Sequence, residues 1–248
     1  MANAKFCYRN ILESATVAVT SENASFPAWR LYDRDIGLLF KGGSAPANFY
    51  VTLDQGATTQ YDVNRLIIPA GHNLNGKAVK LQRSTDNFVG SVIDVVSWTQ
   101  TDALAINKSF TQPATTRYWR LNITTGGTIP ELPEMYLTKD LDFTYNPDFG
   151  TPVGKQRNVS RWETESGQVR KVKNGEPRQA YQFGFAVIDS AQKTDLQAWE
   201  DHLAGTKGCY LSDTDGTWVF VELMEDLKYT PISYNNWSTT FNLLELLA

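Results

Sequence analysis

The two histidines of the chain are its only imidazoles, and neither stands in a pattern that supports catalysis. His72 falls in a turn after a predicted strand, and His202 lies in a predicted helix. A serine triad would need a Gly-x-Ser-x-Gly elbow, and a zinc site would need histidine and cysteine ligands at close spacing. The sequence contains neither pattern, nor a Walker A loop for a nucleotide. It therefore predicts a protein that is not an enzyme, without catalytic residues or metal ligands.

A second chemical pattern is the acidic pair Asp213 and Asp215, followed by Gly216. These three residues resemble half of a calcium-binding loop. The later ligands and the closing glutamate of an EF-hand are missing, however. A β-turn, in which aspartate and glycine are both common, is the favoured interpretation.

A similar pair, Asp33 and Asp35, lies in the predicted first loop. The two carboxylates either hold a cation, or form a local Asx-turn or a salt bridge to Arg30 or Arg34. The local turn is favoured. We therefore expect no cofactor, and a calcium ion in the loops of the first domain remains the less favoured alternative.

Aromatic and polar residues in loops are the strongest binding candidates. Exposed aromatic rings stack on sugars or fill pockets on partner proteins. For each tryptophan the competing interpretation is a place in the core, and for His72 it is a structural role. The prediction is therefore for the group as a set. Its members are Trp29, Tyr32, Asp33, Asp35, Phe40, His72, Asn73 and Trp98.

A basic strand over residues 168–173 is the candidate assembly interface. It carries Arg170, Lys171 and Lys173 between apolar residues. The strand either pairs with the acidic helix of a neighbouring subunit or is a charged edge strand that deters wrong pairing. Neither interpretation is preferred over the other.

The composition limits the class of protein. The chain has 248 residues, of which 42% are hydrophobic and 20% charged, so a packed core is expected rather than disorder. A net charge of −4 argues against nucleic acid as a partner. The sequence contains no apolar run of about 18 residues, so membrane insertion is not expected. The N-terminus lacks the apolar stretch of a signal peptide. Cys7 and Cys209 are expected to be free, buried thiols.

The order of strand and turn signals predicts two domains. Short alternating runs separated by turns fill residues 1–140, and the Pro- and Gly-containing stretch 141–154 is expected to be a linker. Residues 155–248 contain further strands and one helix at about 190–204, in which Leu196, Trp199 and Leu203 fall on one stripe at helical spacing. Alternation along the strand at 180–188 puts Phe183, Phe185 and Val187 on one face, together with Tyr181. The predicted fold class is all-β: two β-sandwiches, the second with one packed helix.

The first half contains an ordered set of strand and loop segments: ATVAVTS at 15–21, AWRLYD at 28–33, FYVTLDQG at 49–56, NRLII at 64–68, VKLQRSTD at 79–86, TRYWRLNI at 116–123 and IPELPE at 129–134. In order and spacing, this set resembles the discoidin, or F5/8 type C, branch of the galactose-binding-like sandwiches over roughly residues 8–138. The resemblance implies a jelly-roll sandwich whose loops at one end recognise a glycan, a lipid surface or a protein, usually without catalysis. The first loop departs from the family, because it lacks the usual small residue and tryptophan after Asp33.

The second half contains four segments in order: RWETESGQVRK at 161–171, the aromatic strand at 180–188, the helix at 190–204 and GCYLSDTDGTW at 208–218. Together they look like the sandwich-plus-helix domains of tailed-phage tail and baseplate proteins of the distal-tail type. The resemblance implies a ring-forming homo-oligomer that contacts other virion tail proteins. It also implies a protein made and assembled in the host cytoplasm and located in the virion.

Three functional hypotheses follow. The leading one is a structural component of a phage tail tip or baseplate that forms a ring and carries a glycan- or protein-binding module. The alternative is a carbohydrate-binding module protein that acts alone. The third, an enzyme that cleaves glycans, is not favoured, because the second half is small and lacks a convincing acid/base pair.

Overall fold

A computed structural model of the chain describes residues 4–7, 9–58, 60–111, 116–145, 147, 153–157, 159–163, 168–173, 175–205, 207–212 and 218–246. The chain divides into two compact units. Tyr8–Asp140 forms one, named here the sandwich unit; Met1–Cys7 and Leu141–Leu247 form the other, named the helix unit. The helix unit is thus discontinuous in sequence. Its first segment precedes the sandwich unit, whereas the sequence analysis grouped that segment with the first domain.

Twelve of the described strands lie before residue 143, together with two short 3-10 helices, Ile11–Glu13 and Ala28–Leu31. The strands are β1 (Lys5–Cys7), β2 (Thr16–Val19), β3 (Phe40–Lys41), β4 (Asn48–Asp54), β5 (Arg65–Ile68), β6 (Ala78–Ser84), β7 (Ile93–Thr99), β8 (Ile106–Ser109), β9 (Tyr118–Thr124), β10 (Glu131–Leu132), β11 (Tyr136–Thr138) and β12 (Asp140–Asp142).

The described remainder of the chain contains eight further strands and the helix α1, Ser190–Leu203. The strands are β13 (Val153–Gln156), β14 (Val159–Glu163), β15 (Val169–Lys173), β16 (Arg178–Asp189), β17 (Gly208–Ser212), β18 (Trp218–Leu223), β19 (Lys228–Ser233) and β20 (Asn236–Glu245). The all-β prediction, with one helix, is confirmed.

The sandwich unit is built on a five-stranded antiparallel sheet in the order β2-β4-β9-β6-β7 and a three-stranded sheet in the order β11-β5-β8. Side chains alternate between the two faces of a strand. In β4, Phe49, Val51 and Leu53 are therefore fully buried, while Tyr50 and Thr52 lie on the outer face. This alternation puts the apolar set in one core and a row of polar residues outside it.

The helix unit has an eight-stranded sheet in the order β12-β1-β17-β18-β20-β16-β13, with β19 on β20. An aromatic cluster fills its core: the ring centroid of Phe6 lies 4.8 Å from that of Trp199 and 5.7 Å from that of Phe183. Asp189 caps α1 by accepting a hydrogen bond from the Gln192 backbone N–H at 2.8 Å. The predicted helix stripe is confirmed, because Leu196, Trp199 and Leu203 are all fully buried.

A β-bulge overturns one detail of the predicted strand pattern. Period-two alternation placed Val187 on the buried face with Phe183 and Phe185. The register between β16 and β20 shifts between Phe185 and Ile188. Because a bulge exchanges the two faces of a strand, Val187 is 40% exposed and Ile188 is fully buried instead.

Both cysteines are buried, and both lie in the helix unit. In the register of β1 with β17, Phe6 is opposite Leu211. Cys7 therefore shares a sheet face with Tyr210, and Cys209 points to the other face. Among the described residues, no helix is both long enough and apolar enough to cross a membrane.

Candidate functional site

The 3-10 helix Ala28–Leu31 presents an aromatic and cationic surface that we name the loop platform: Phe26, Trp29 and Arg30. Trp29 is 47% exposed. The guanidinium carbon of Arg30 lies 5.8 Å from the Trp29 ring centre and 5.2 Å from the Phe26 ring centre, in cation–π range. The fully buried Leu31 anchors the turn. Arg30 Nη1 donates to the carbonyl oxygen of Leu39 at 3.1 Å, which holds the guanidinium in place.

The acidic pair of the first loop forms the local turn that the sequence favoured. Asp33 Oδ1 accepts from the Asp35 backbone N–H at 3.0 Å, and Asp35 Oδ1 accepts from the Gly37 N–H at 3.0 Å. The neighbouring Arg34 forms its ion pair with Glu13. The pKa of Asp33 is raised above its ordinary value, chiefly by burial. The hydrogen bond from the Asp35 backbone and the charge of Arg30 act in the opposite direction but are weaker than burial.

A buried carboxylate that the sequence analysis did not select holds this loop. Glu134 is fully buried, and its Oε1 accepts from the backbone N–H of Arg34 at 2.9 Å. Arg34 has a positive φ of 65°, which is uncommon for a residue other than glycine. Burial raises the pKa of Glu134 to about 8, against hydrogen bonds from Arg34 and Tyr136 that lower it. Only the fold brings Glu134 to this loop, so no local signal could have found it.

Two of the selected residues have almost no surface for a ligand. Phe40 is fully buried and packs 6.0 Å from Phe49, between ring centroids. His72 is 2% exposed; its Nε2 lies 2.8 Å from the Leu104 carbonyl oxygen, and its Nδ1 accepts from the Leu74 N–H at 3.3 Å. We assign both to the structural framework rather than to a ligand surface.

The other three selected residues are partly buried. Asn73 uses its amide to bind the Ile129 carbonyl oxygen and the Glu131 N–H, at 2.8 and 2.9 Å. Tyr32 packs against the hydrophobic core. Trp98 donates from Nε1 to Gln100 Oε1 at 3.1 Å. These contacts position the loops, and they leave Trp29 as the most exposed ring of the selected set.

The structure places the candidate assembly residues on a hairpin. β14 and β15 pair only with each other, and every residue of both strands is exposed. Arg161 lies directly opposite Lys171, and Trp162 lies opposite Arg170. Lys173 forms an ion pair with Glu176 at 2.9 Å.

The described residues contain no group of three or more histidine, cysteine, aspartate or glutamate side chains that could hold a metal ion. The predicted turn at Asp213 and Asp215 lies outside the described residues.

Comparison with known proteins finds similarity among solved structures. No protein-family model matches the chain, and no curated protein matches it. Eighty-seven chains of solved structures match. One is chitosan-binding module 1 of the chitosanase/glucanase from Paenibacillus sp. IK-5, with 20% identity and a TM-score of 0.45, covering 52% of this chain and 98% of the module.

Two other similar structures show the range of matches. The family 32 carbohydrate-binding module of NanJ from C. perfringens, solved with galactose, is 15% identical with a TM-score of 0.43, covering 54% of this chain and 98% of the module. The GH29 fucosidase E1_10125 of Ruminococcus gnavus, solved with fucose, is 16% identical with a TM-score of 0.45. That match covers 54% of this chain and 27% of the fucosidase.

Proposed function

We propose that the sandwich unit binds a glycan through the loop platform. The observation that carries this proposal is the half-exposed indole of Trp29, presented on a short helix that a buried leucine anchors. Sugar rings pack their C–H faces on open aromatic rings, and a preformed ring loses little entropy on binding. The loop platform presents an aromatic ring and a cation on the outside of a loop, an arrangement that suits binding rather than catalysis.

Polar groups of the same loop are suited to sugar hydroxyls. The guanidinium of Arg30 is a planar group with several donors, and the exposed carboxylate of Asp35 is an acceptor two residues after Asp33. The internal hydrogen bonds of this loop hold these groups before a ligand arrives. Preorganisation of this kind improves affinity because fewer rotamers are lost on binding.

The test compares two tryptophans of equal exposure. The full chain is applied to a glycan array, and the sugars that bind are titrated by calorimetry. We expect Trp29→Ala to weaken binding at least tenfold. Trp162→Ala is the matched control, because Trp162 is 46% exposed but lies in the helix unit. If every neutral glycan that binds on the array binds Trp29→Ala as tightly as wild type, the loop platform is not the binding site.

A second candidate function is self-assembly, and the β14–β15 hairpin is the observation that favours it. An isolated two-stranded hairpin is marginally stable in water, yet this one exposes four apolar residues. In the register of the hairpin, Trp162 and Val172 are diagonal neighbours on one face, and the two other valines lie on the opposite face. Neighbouring exposed apolar side chains mark interaction surfaces. The four are Val159, Trp162, Val169 and Val172.

The charges of the helix unit favour a second copy of the chain as the partner. Arg161 and Lys171 lie opposite one another in the hairpin, and like charges in that position destabilise it. On α1 and the loop after β18, Glu200, Asp201 and Asp226 form an acidic group. Burial first, and then the two neighbouring carboxylates, raise the pKa of Glu200. Pairing of the basic hairpin with the acidic group of a neighbouring copy relieves both repulsions, as a ring-forming structural component of a phage tail tip would require.

Sedimentation at increasing protein concentration tests this second candidate. We expect self-association that weakens with salt and that Lys171→Glu abolishes. The double variant Lys171→Glu with Asp201→Lys should restore association, because the charges are then exchanged between the two surfaces. Trp29→Ala is the control that leaves association unchanged. A wild-type chain that stays monomeric at high micromolar concentration would exclude assembly through the hairpin.

A further inference from the structure

An arginine on the outer face of the five-stranded sheet is enclosed by two aromatic rings. The guanidinium carbon of Arg120, on β9, lies 4.4 Å from the ring centre of Tyr50 on β4 and 4.2 Å from that of Phe88, in the loop between β6 and β7. β4, which carries Tyr50, and β6, which leads into the Phe88 loop, pair with β9 on its two sides. One ring therefore comes from each side of the strand that carries Arg120.

The loop that carries Phe88 is held in a costly conformation. Asn87 and Phe88 have φ values of 57° and 64°. Positive φ is unfavourable for a bulky residue, and such residues concentrate at functional sites. The Phe88 backbone N–H donates to Ser84 Oγ at 2.9 Å, and Asp86 Oδ2 accepts from the Gly90 N–H at 2.8 Å. These bonds keep the Phe88 ring over the arginine in spite of the strain.

One edge of the Arg120 guanidinium is used within the protein. Its Nε donates to Gln82 Oε1 at 2.7 Å, and the amide nitrogen of Gln82 donates to Asp94. The other Asp94 oxygen accepts from Lys80 Nζ at 2.8 Å. Among the described residues, no carboxylate lies within salt-bridge distance of Arg120. The charge of Arg120 helps to lower the pKa of Asp94, but none of the described carboxylates forms an ion pair with the terminal amino groups of Arg120.

Arg117, the residue before β9, has a similar aromatic contact and shows which group such an arginine binds. Arg117 lies over the ring of Tyr118, at 4.7 Å from its centre. It holds the carboxylate of Asp54 through Nε and Nη2, at 2.6 and 2.7 Å. A planar carboxylate matches the edge of a guanidinium in this two-point geometry. Arg120 has a tighter aromatic enclosure and no such carboxylate.

We propose that Arg120, between Tyr50 and Phe88, binds the carboxylate of an acidic saccharide of the uronic or sialic acid class. The site is separate from the loop platform. Thr52 and Asn122 lie beside it on the same sheet face, in register with Arg120 and Tyr50 respectively, and supply a hydroxyl and an amide for sugar hydroxyls. The saccharide part of this assignment rests on the proposed glycan-binding function, whereas the carboxylate requirement rests on Arg120 itself.

The experiment titrates the full chain with trigalacturonate and with its methyl ester, which lacks the charge. We expect the acid to bind at least tenfold more tightly than the ester. Arg120→Lys keeps the charge but loses the two-point geometry and the planar stack, and should weaken acid binding at least tenfold. Arg117→Lys is the matched control and should leave acid binding unchanged, because Asp54 already occupies its guanidinium.

Two further variants separate the outcomes. Phe88→Gly removes the strained side chain and should keep the chain folded, as monitored by thermal unfolding, while weakening the binding of the acid. Trp29→Ala should leave acid binding intact, so failure of the loop platform and failure of this site are distinguishable. Equal binding by wild type and Arg120→Lys overturns the proposal. Equal competition by acetate or an acidic peptide overturns the saccharide assignment.

Discussion

The carboxylate of Glu134 accepts a hydrogen bond from the backbone N–H of Arg34, a residue 100 positions earlier in the chain. This bond connects the segment after β10 to the first loop. It sets the path of the chain just after the loop platform. Because Glu134 is fully buried, its protonation state should influence the stability of the sandwich unit.

The first prediction is a pH dependence of stability that depends on Glu134. Its pKa is raised to about 8 in the folded protein, against about 4.3 in an unfolded chain. The folded state therefore holds the proton more tightly, and the stability from this group is present below about pH 4.3 and is lost as pH rises through about 8. Urea unfolding between pH 5 and 9 should show wild type losing stability on the order of a few kcal/mol.

Glu134→Gln should flatten this profile, since the amide does not titrate. Glu131→Gln is the control, because Glu131 forms a partly exposed ion pair with Lys41. Its profile should follow that of wild type. Identical profiles for wild type and Glu134→Gln would contradict the assignment.

The second prediction concerns Asp86 and the Phe88 loop. The hydroxyl of Ser84 first, and then the Gly90 and Ser91 groups that bind the carboxylate, lower the pKa of Asp86 to about 2. A lowered pKa means that the ordered loop is favoured above about pH 4 and loses this support as pH falls through about 2. Asp86→Ala should therefore speed hydrogen exchange at the Gly90 and Ser91 amides and weaken the Arg120 site. Unchanged exchange would mean that the loop holds its shape without Asp86.

The third prediction compares two arginine–aspartate pairs of the sandwich unit. Arg65 and Asp140 bond at 2.5 Å with side chains 10% and 3% exposed, whereas Arg117 and Asp54 are 36% and 31% exposed. Asp140→Asn leaves a buried charge and should cost about 3–5 kcal/mol of unfolding free energy. Asp54→Asn should cost about 1 kcal/mol or less. Equal losses of unfolding free energy for the two variants, measured by urea unfolding, would contradict a role for the difference in burial.

The fourth prediction tests the bulge in β16. Ile188→Ala removes a fully buried side chain and should cost about 2–5 kcal/mol of unfolding free energy. Val187→Ala, at the next position, should change the stability by no more than about 0.5 kcal/mol, because that side chain is exposed. The reverse order would show that the strand continues without a register shift. Thermal and urea unfolding of the two variants provide the measurement.

Local periodicity accounts for what the sequence predicted well. The stripe of Leu196, Trp199 and Leu203 follows from 3.6 residues per turn, and the buried set of β4 follows from alternation of side chains. Both patterns depend only on neighbours a few positions away. The turn at Asp33 and Asp35 is equally local, since each carboxylate accepts from an N–H two residues later.

The candidate site was less accessible to sequence reasoning. Phe40 and His72 look like surface residues in a loop, but the residues that bury them are distant in the chain: Leu104, for example, is 32 positions after His72. Arg120 stands in the segment that carried the family resemblance, yet nothing local shows that Tyr50 and Phe88 enclose it. Strand register alone brings these three side chains together.

By itself the sequence determined the all-β class and the helix of the second half, because these depend on short-range periods and turn residues. The tertiary structure alone decided that β1 belongs to the helix unit, that Val187 and Ile188 exchange faces, and that Glu134 holds the first loop. Each of these depends on which strands pair and in which register. Strand pairing joins residues that are far apart in the chain, so no short segment of the sequence shows which strands pair or in which register.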